Sequence, residues 1–170
     1  DEEAQKEVLD AIQVLFMQHY RHIMYAFQFY SAMGNSNDLS QMLFNQCMDM
    51  LGDMGIPEDD NKAINKGALD RLFVEANVEG EEQEDDDVGD ANADRALMRF
   101  ELLELYVRIA VAKFMLTKRV QGKYNGVVEA MTILINDHVV PCTGEGSCNA
   151  GLHHIDDWRR EHLYNVETEA

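Results

Sequence analysis

Apolar side chains recur every three or four residues along most of this chain, and that spacing limits the possible folds more than any other feature. A half-buried strand needs apolar residues at every second position, whereas one face of a helix gathers residues three and four apart. Proline, which interrupts helices, occurs only twice in 170 residues. The spacing therefore predicts an all-α protein.

The periodic stretches predict six helices, whose apolar positions run over residues 8–30, 39–51, 69–76, 97–114, 127–139 and 155–166. Asp38 and Asn65 are the expected N-caps of the second and third helices, because their side chains accept hydrogen bonds from first-turn amides. The predicted stop signals are Gly34, Gly55 with Pro57, Gly122 and Pro141.

The charge balance indicates which partners the chain could bind. Acidic residues outnumber basic residues by 32 to 14, which gives a formal net charge of −18. Nucleic acids and anionic membranes attract Lys and Arg, so we expect neither as a partner. We also find no apolar run long enough to cross a bilayer. The expected partner is a protein with a basic or apolar helical surface, or a cation.

Cysteine usage and the first residues indicate an intracellular protein. The three cysteines are an odd number, and Cys47 lies within a helical pattern, so a disulfide framework is not expected. The acidic first residues are opposite in character to a signal peptide. Because the chain begins directly in a helical pattern without Met, we expect it to be a domain of a longer protein.

An acidic segment interrupts the helical pattern between the third and fourth helices. Residues 79–90 include eight carboxylates in twelve residues, and neither Lys nor Arg occurs from 74 to 93. Such a segment repels itself and buries little surface, which predicts a long loop over about 78–93. The loop either remains solvated or serves as a docking strip for a basic partner.

The end of this segment has the ligand spacing of a calcium loop. Asp90, Asn92 and Asp94 occupy the first, third and fifth positions, an apolar residue the eighth, and Glu101 the twelfth. Arg95 stands at the sixth position, where a sharp turn favours glycine. The alternative interpretation is that Asp94 is a helix N-cap and Glu101 is an exposed residue.

The order of these elements predicts two consecutive helix-loop-helix units, and at this point the chain resembles an EF-hand pair. The first predicted loop is poorer in ligands than the second. Aligning Leu39 with the eighth position places Ala32, Gly34, Ser36, Asp38 and Leu43 at the ligand positions. That loop has almost no charge with which to bind calcium.

Four segments also resemble the degenerate EF-hand arrangement of the tubulin polymerisation-promoting protein family, over about residues 20–115. They are Phe29-Tyr-Ser-Ala-Met-Gly, Leu51-Gly-Asp-Met-Gly-Ile, Leu69-Asp-Arg-Leu-Phe and Arg99-Phe-Glu-Leu-Leu-Glu. The resemblance implies a helical, non-catalytic domain of a eukaryotic cytoskeletal or ciliary protein.

Residues 123–170 have no counterpart in that family. We expect them to form a C-terminal helical extension that packs on the pair formed by residues 1–122, with Trp158 as its anchor. Two thiols and three imidazoles gather here, and zinc would accept such ligands, although the spacing between the cysteines is not that of a zinc knuckle. They are His138, Cys142, Cys148, His153 and His154.

Motifs for catalysis are not found in the sequence, and His19 and His22 share a helix without an evident carboxylate or thiol partner. The sequence therefore predicts a non-catalytic protein-interaction module. One alternative is a calcium-responsive regulatory domain that uses the 90–101 loop, and a more distant one is a zinc-stabilised helical domain. Ten methionines either fill the core or line a groove for a helical partner.

Overall fold

The computed structural model describes residues 2–33, 39–77, 96–117 and 122–143. These ranges are predominantly helical, which confirms the all-α prediction at the level of fold class. The helices are α1 (Glu2–Gln18), α2 (Tyr20–Ala32), α3 (Phe44–Asp53), α4 (Lys66–Ala76), α5 (Arg99–Ala110), α6 (Val127–Leu134) and α7 (Val140–Thr143). Two π-helical segments are π1 (Val111–Leu116) and π2 (Ile135–Val139). The predicted acidic loop and the predicted sixth helix lie outside the described residues.

A short antiparallel ladder joins two distant parts of the chain. Strand β1 (Gln41–Leu43) pairs with strand β2 (Ala96–Met98), with Met42 opposite Leu97. Both of these side chains are fully buried. Residues 39–43 were expected to be helical, and this prediction is wrong, because α3 begins only at Phe44. The backbone there bonds to a partner strand rather than to its own next turn.

The predicted first helix is divided into α1 and α2 at His19. Its backbone angles, φ −105° and ψ 13°, leave the helical range for one residue. The bonds from the His19 amide to the Leu15 carbonyl (3.2 Å) and from the Ile23 amide to the His19 carbonyl (3.1 Å) are kept. The apolar spacing therefore continues across the break, and periodicity alone could not reveal it.

The end of α3 is closed by a Schellman motif centred on Gly55. The Ile56 amide donates to the Leu51 carbonyl (3.1 Å) and the Gly55 amide to the Gly52 carbonyl (2.9 Å). Gly55 has φ 65°, a backbone conformation that glycine adopts without steric penalty. The predicted stop near Gly55 and Pro57 is confirmed.

Two residues were expected to mark the limits of helices: Asn65 as an N-cap and Pro141 as a stop signal. Asn65 is the N-cap of α4, and its Oδ1 accepts from the Ala68 amide at 2.9 Å, as predicted. Pro141 was expected to stop a helix, but it lies inside α7, which continues to Thr143. Pro141 has no amide hydrogen to donate, but it is the second residue of α7, and the first turn of a helix does not require that donor.

One apolar core connects the described elements. Helix α4 packs on α5, α2 packs on α3, and α6 packs on both α5 and α1. Helix α7 and π2 contact α2, so residues 127–143 cover three of the earlier helices. The largest fully buried side chains include Tyr30, Tyr106, Phe27, Phe73 and Ile23. None of the described helices combines the length and apolar character needed to cross a membrane.

Candidate functional site

Glu101 is the one predicted calcium ligand that the structure describes, because Asp90, Asn92 and Asp94 lie outside the described residues. Its side chain is only 6% exposed. Oε2 accepts from the Met98 amide at 2.6 Å, which places the carboxylate at the start of α5, where the helix dipole stabilises negative charge. The alternative interpretation placed an exposed Glu101 in a helix with Asp94 as its N-cap. Both parts are wrong, because Glu101 is buried and the N-cap of α5 is Met98.

Gln46 occupies the corresponding place in the first unit. Its Oε1 accepts from the Leu43 amide at 2.8 Å, and Leu43 is the N-cap of α3 as Met98 is of α5. The Gln46 side chain is only 8% exposed. Its Nε2 has no hydrogen-bond partner in the described part of the chain. Where Glu101 has a second carboxylate oxygen, Gln46 has this amide nitrogen, which donates hydrogen bonds and does not ligate calcium. The two units therefore differ in chemistry at equivalent positions.

The ladder corrects the alignment of the first loop. Leu97, the eighth residue of the second loop, lies opposite Met42 and not opposite Leu39, which the sequence alignment had placed at the eighth position of the first loop. The predicted alignment of the first loop was therefore displaced by three residues. Counting from Met42 as the eighth position makes Gln46 the twelfth and Asn35 the first. The corrected first, third, fifth and twelfth positions contain no acidic residue. The conclusion that this loop has few calcium ligands is unchanged.

A cleft of about 550 Å³ opens between α2, α3 and α4. Tyr30 and Leu69 form a buried floor, while Phe44 and Met48 are partly exposed on its wall. Its remaining lining residues are Met33, Asp49, Gly52, Asp53, Pro57 and Lys66. The Tyr30 hydroxyl donates to Asp53 Oδ2 at 2.5 Å, which holds one carboxylate beside the apolar floor. The cleft combines apolar surface with two acidic side chains, Asp49 and Asp53, and one basic side chain, Lys66.

The described methionines lie in different environments. Met24, Met42, Met50 and Met131 are buried in the core. Met48 and Met33 line the cleft, the latter being 60% exposed. Thioether side chains adapt to differently shaped apolar surfaces, so the cleft contains the residue type suited to a variable partner.

A polar cluster surrounds the turn that follows α3. Lys113, on π1, is nearly buried, and its Nζ donates to the Ile56 carbonyl at 3.1 Å and pairs with Glu58. His138, on π2, donates from Nδ1 to the Met54 carbonyl at 2.8 Å. This cluster was missed in the sequence, because its members lie more than fifty residues apart along the chain.

The zinc candidates are only partly described. Cys142 is buried in the core and His138 bonds the Met54 carbonyl, while Cys148, His153 and His154 lie outside the described residues. Within the described ranges, no three His, Cys, Asp or Glu side chains are grouped as a metal site would require.

Buried thiol and phenol groups occur in the core near α3. Burial raises the pKa of the Cys47 thiol, which keeps it protonated and poorly nucleophilic at neutral pH. Burial also raises the pKa of Tyr106, whose hydroxyl lies 3.8 Å from Met50 Sδ and 3.9 Å from Met54 Sδ. These groups contribute to packing and offer no activated nucleophile.

Comparison with known protein families, curated proteins and solved structures found no match to this chain.

Proposed function

We propose that this chain is a non-catalytic protein-interaction module built on an EF-hand-like pair. The observation that carries the assignment is the ladder between β1 and β2. It joins two units that each run from a strand into a helix, with Met42 and Leu97 paired at its centre. In both units a side chain three residues into the helix, Gln46 or Glu101, accepts from the N-cap amide. This repeated arrangement supports two related helix-loop-helix units.

The cleft between α2, α3 and α4 is the proposed binding surface. Its apolar floor would bury a partner's apolar side chain, and Met48 could adjust to that side chain's shape. Asp49 is exposed at the wall, and the whole chain carries a net charge of −18. The matching partner is an amphipathic helix with one or more large apolar residues and a basic face.

Gly52 offers a way to fill the cleft without damaging the core. A Cβ built at Gly52 would meet no atom within 4 Å, so a leucine there would extend into the cleft. Leucine also favours a helix more than glycine does, and Gly52 lies within α3. Gly52→Leu should therefore leave the protein folded while removing the space that the partner needs.

The experiment titrates the full chain with a fluorescent amphipathic peptide of leucine and lysine at helical spacing, and follows anisotropy. Gly52→Leu should weaken binding by at least about tenfold, or ~1.4 kcal/mol. Gly67→Leu is the matched control, because it makes the same change on α4, where Gly67 does not line the cleft. Equal affinity for the wild type and Gly52→Leu would rule out the cleft as the site.

A second candidate function is calcium binding through the 90–101 loop. It is favoured by Glu101, whose buried carboxylate occupies the position of the twelfth ligand at the start of α5. Isothermal calorimetry of the full chain with calcium tests it. Glu101→Gln should abolish the heat of binding while preserving the helix content, because glutamine can still accept from the Met98 amide. No heat at about millimolar calcium in the wild type would end this candidate.

The parent assembly is proposed to be cytoskeletal or ciliary. This part of the proposal is supported by the resemblance of residues 20–115 to the tubulin polymerisation-promoting protein family. Co-sedimentation of the full chain with assembled microtubules is a direct test, with unpolymerised tubulin as the control. Recovery in the supernatant alone, at every protein concentration used, would count against direct microtubule attachment.

A further inference from the structure

Both π-helical segments direct a basic side chain at the same turn of the chain. On π1, Lys113 bonds the Ile56 carbonyl, and on π2, His138 bonds the Met54 carbonyl. These carbonyls lie on either side of Gly55, where α3 ends. π-helical turns are rare and often occur at functional positions. Two of them meeting at one turn is the observation on which the inference rests.

The two side chains complete the end of α3. The last carbonyls of a helix have no hydrogen-bond donor within the helix. The Schellman motif supplies amide donors for the carbonyls of Leu51 and Gly52. Met54 and Ile56 receive their donors from His138 and Lys113 instead. The end of α3 is thus fastened to residues more than fifty positions later in the chain.

Further polar contacts reinforce the same attachment. Glu58 pairs with the Lys113 ammonium, which compensates a nearly buried positive charge. Asn61 Nδ2 donates to Thr117 Oγ1 at 3.1 Å, just beyond π1, and to Glu58 at 2.9 Å. Residues 54–61 are therefore held to π1 by several polar contacts and to π2 by the bond from His138.

The environment of His138 opposes a positive charge on its ring. Burial lowers the pKa of His138 and the Lys113 ammonium lowers it further, against the opposite influences of the Met54 carbonyl, Asp137 and Glu58, so that the net shift is downward. Because the Met54 carbonyl can only accept, Nδ1 carries the proton and Nε2 is unprotonated in the neutral ring. At neutral pH the ring is uncharged.

We propose that His138 and the Met54 carbonyl form a proton-sensitive latch that fastens residues 127–143 to the end of α3, beside the Lys113–Glu58 pair that holds π1 to the same turn. A second positive charge beside Lys113 weakens this attachment when His138 is protonated. Residues 127–143 then loosen from α1, α2 and α5, which they cover. The latch does not require that the cleft bind a partner or that the 90–101 loop bind calcium.

The direction of the pH effect follows from the lowered pKa. In the loosened state His138 regains its ordinary pKa of about 6.5 and binds a proton more readily than in the latched state. The attachment is therefore complete above that ordinary value. The attachment weakens as the pH falls from about 6.5 toward the lower pKa of His138 in the latched state.

Hydrogen exchange of the full chain, measured by mass spectrometry at about pH 7.5 and about pH 5.5, tests the latch. After correction for intrinsic rates, protection of residues 127–143 should fall severalfold at the lower pH. Helix α4 serves as the internal reference and should keep its protection. Equal protection of residues 127–143 at both pH values would overturn the proposal.

His138→Asn separates the titration from the hydrogen bond. The asparagine amide can donate to the Met54 carbonyl but does not titrate, so the pH effect should disappear. His22→Asn is the matched control, because His22 also has a pKa lowered by burial and its Nδ1 lies 2.9 Å from Thr143 Oγ1. An effect that survives in His138→Asn and disappears in His22→Asn would assign the response to His22 and overturn the latch.

Lys113→Gln tests the electrostatic coupling between the two side chains. Glutamine keeps a donor for the Ile56 carbonyl and removes the charge, so the pKa of His138 measured by NMR titration should rise. Lys113→Arg keeps the charge and should leave that pKa close to the wild-type value. An unchanged His138 pKa in folded Lys113→Gln would overturn the coupling; if that variant does not fold, the exchange data for His138→Asn decide.

Discussion

Alanine at Gly52 and at Gly55 should change stability in opposite directions, although the two residues are only three positions apart. Gly52 lies inside α3 with an ordinary helical backbone, whereas Gly55 has φ 65° in the turn that ends the helix. A Cβ at either position would meet no atom within 4 Å. Steric crowding is therefore the same at both sites, and only the backbone conformation differs.

The expected magnitudes follow from that difference. Alanine in place of a glycine within a helix stabilises by about 0.5–1 kcal/mol, because glycine loses more conformational freedom on folding. Alanine in the left-handed region is less stable than glycine by about 1–2 kcal/mol. Gly52→Ala and Gly55→Ala should thus differ by about 1.5–3 kcal/mol in free energy of unfolding.

Urea denaturation followed by far-ultraviolet circular dichroism measures both variants. For a chain of this size, each 1 kcal/mol shifts Tm by about 2–4 °C, so thermal melting gives an independent check. The slope of free energy against urea should stay constant, because the surface exposed on unfolding is unchanged. Stabilisation by Gly55→Ala, or a loss of stability in both variants, would refute the assigned ends of α3.

Three further predictions concern single side chains. Asn65→Ala should lower the free energy of unfolding by about 0.5–2 kcal/mol through loss of the α4 cap, while Asn65→Asp, which can still accept, should recover most of it in urea titrations. Glu101→Ala should lower stability by about 0.5–1.5 kcal/mol more than Glu101→Gln in the same assay, because only alanine leaves the Met98 amide without its acceptor. The thiols of Cys47 and Cys142 should react with an aromatic disulfide reagent only after unfolding, since both are buried, and rapid reaction of more than one of the three thiols in the native protein would contradict their placement.

The features that could be predicted from the sequence depend on short-range physics. Asn65 caps α4 through an amide three residues away, and Gly55 ends α3 through bonds that span three to five residues. Such interactions are contained within one stretch of chain, so residue type and spacing are sufficient to predict them. The same reasoning explains why the helical class was predicted from apolar spacing.

The strands show where this reasoning stops. Residues 41–43 continue the apolar spacing of the following helix, and nothing local distinguishes them from its first turn. They become a strand because Ala96–Met98 provides a partner for their backbone. A three-residue strand has no stability without its partner, so its existence depends on the tertiary fold.

The candidate site was likewise predictable only in part. The spacing of Asp90, Asn92, Asp94 and Glu101 follows from the sequence, but the burial of Glu101 and its equivalence with Gln46 required the ladder register. That equivalence was within reach of the sequence, because each residue lies four positions after a buried ladder residue.

By itself, the sequence determined the helical class, the C-terminal end of α3, the start of α4 and the acidic character, because these depend on neighbouring residues and total charge. The tertiary structure alone decided the β1–β2 pairing, the cleft between α2, α3 and α4, and the meeting of Lys113 and His138 at the end of α3. The His138 contact spans 84 positions and the Lys113 contact 57. Contacts at such separations depend on how whole helices pack, which no local pattern of residues records.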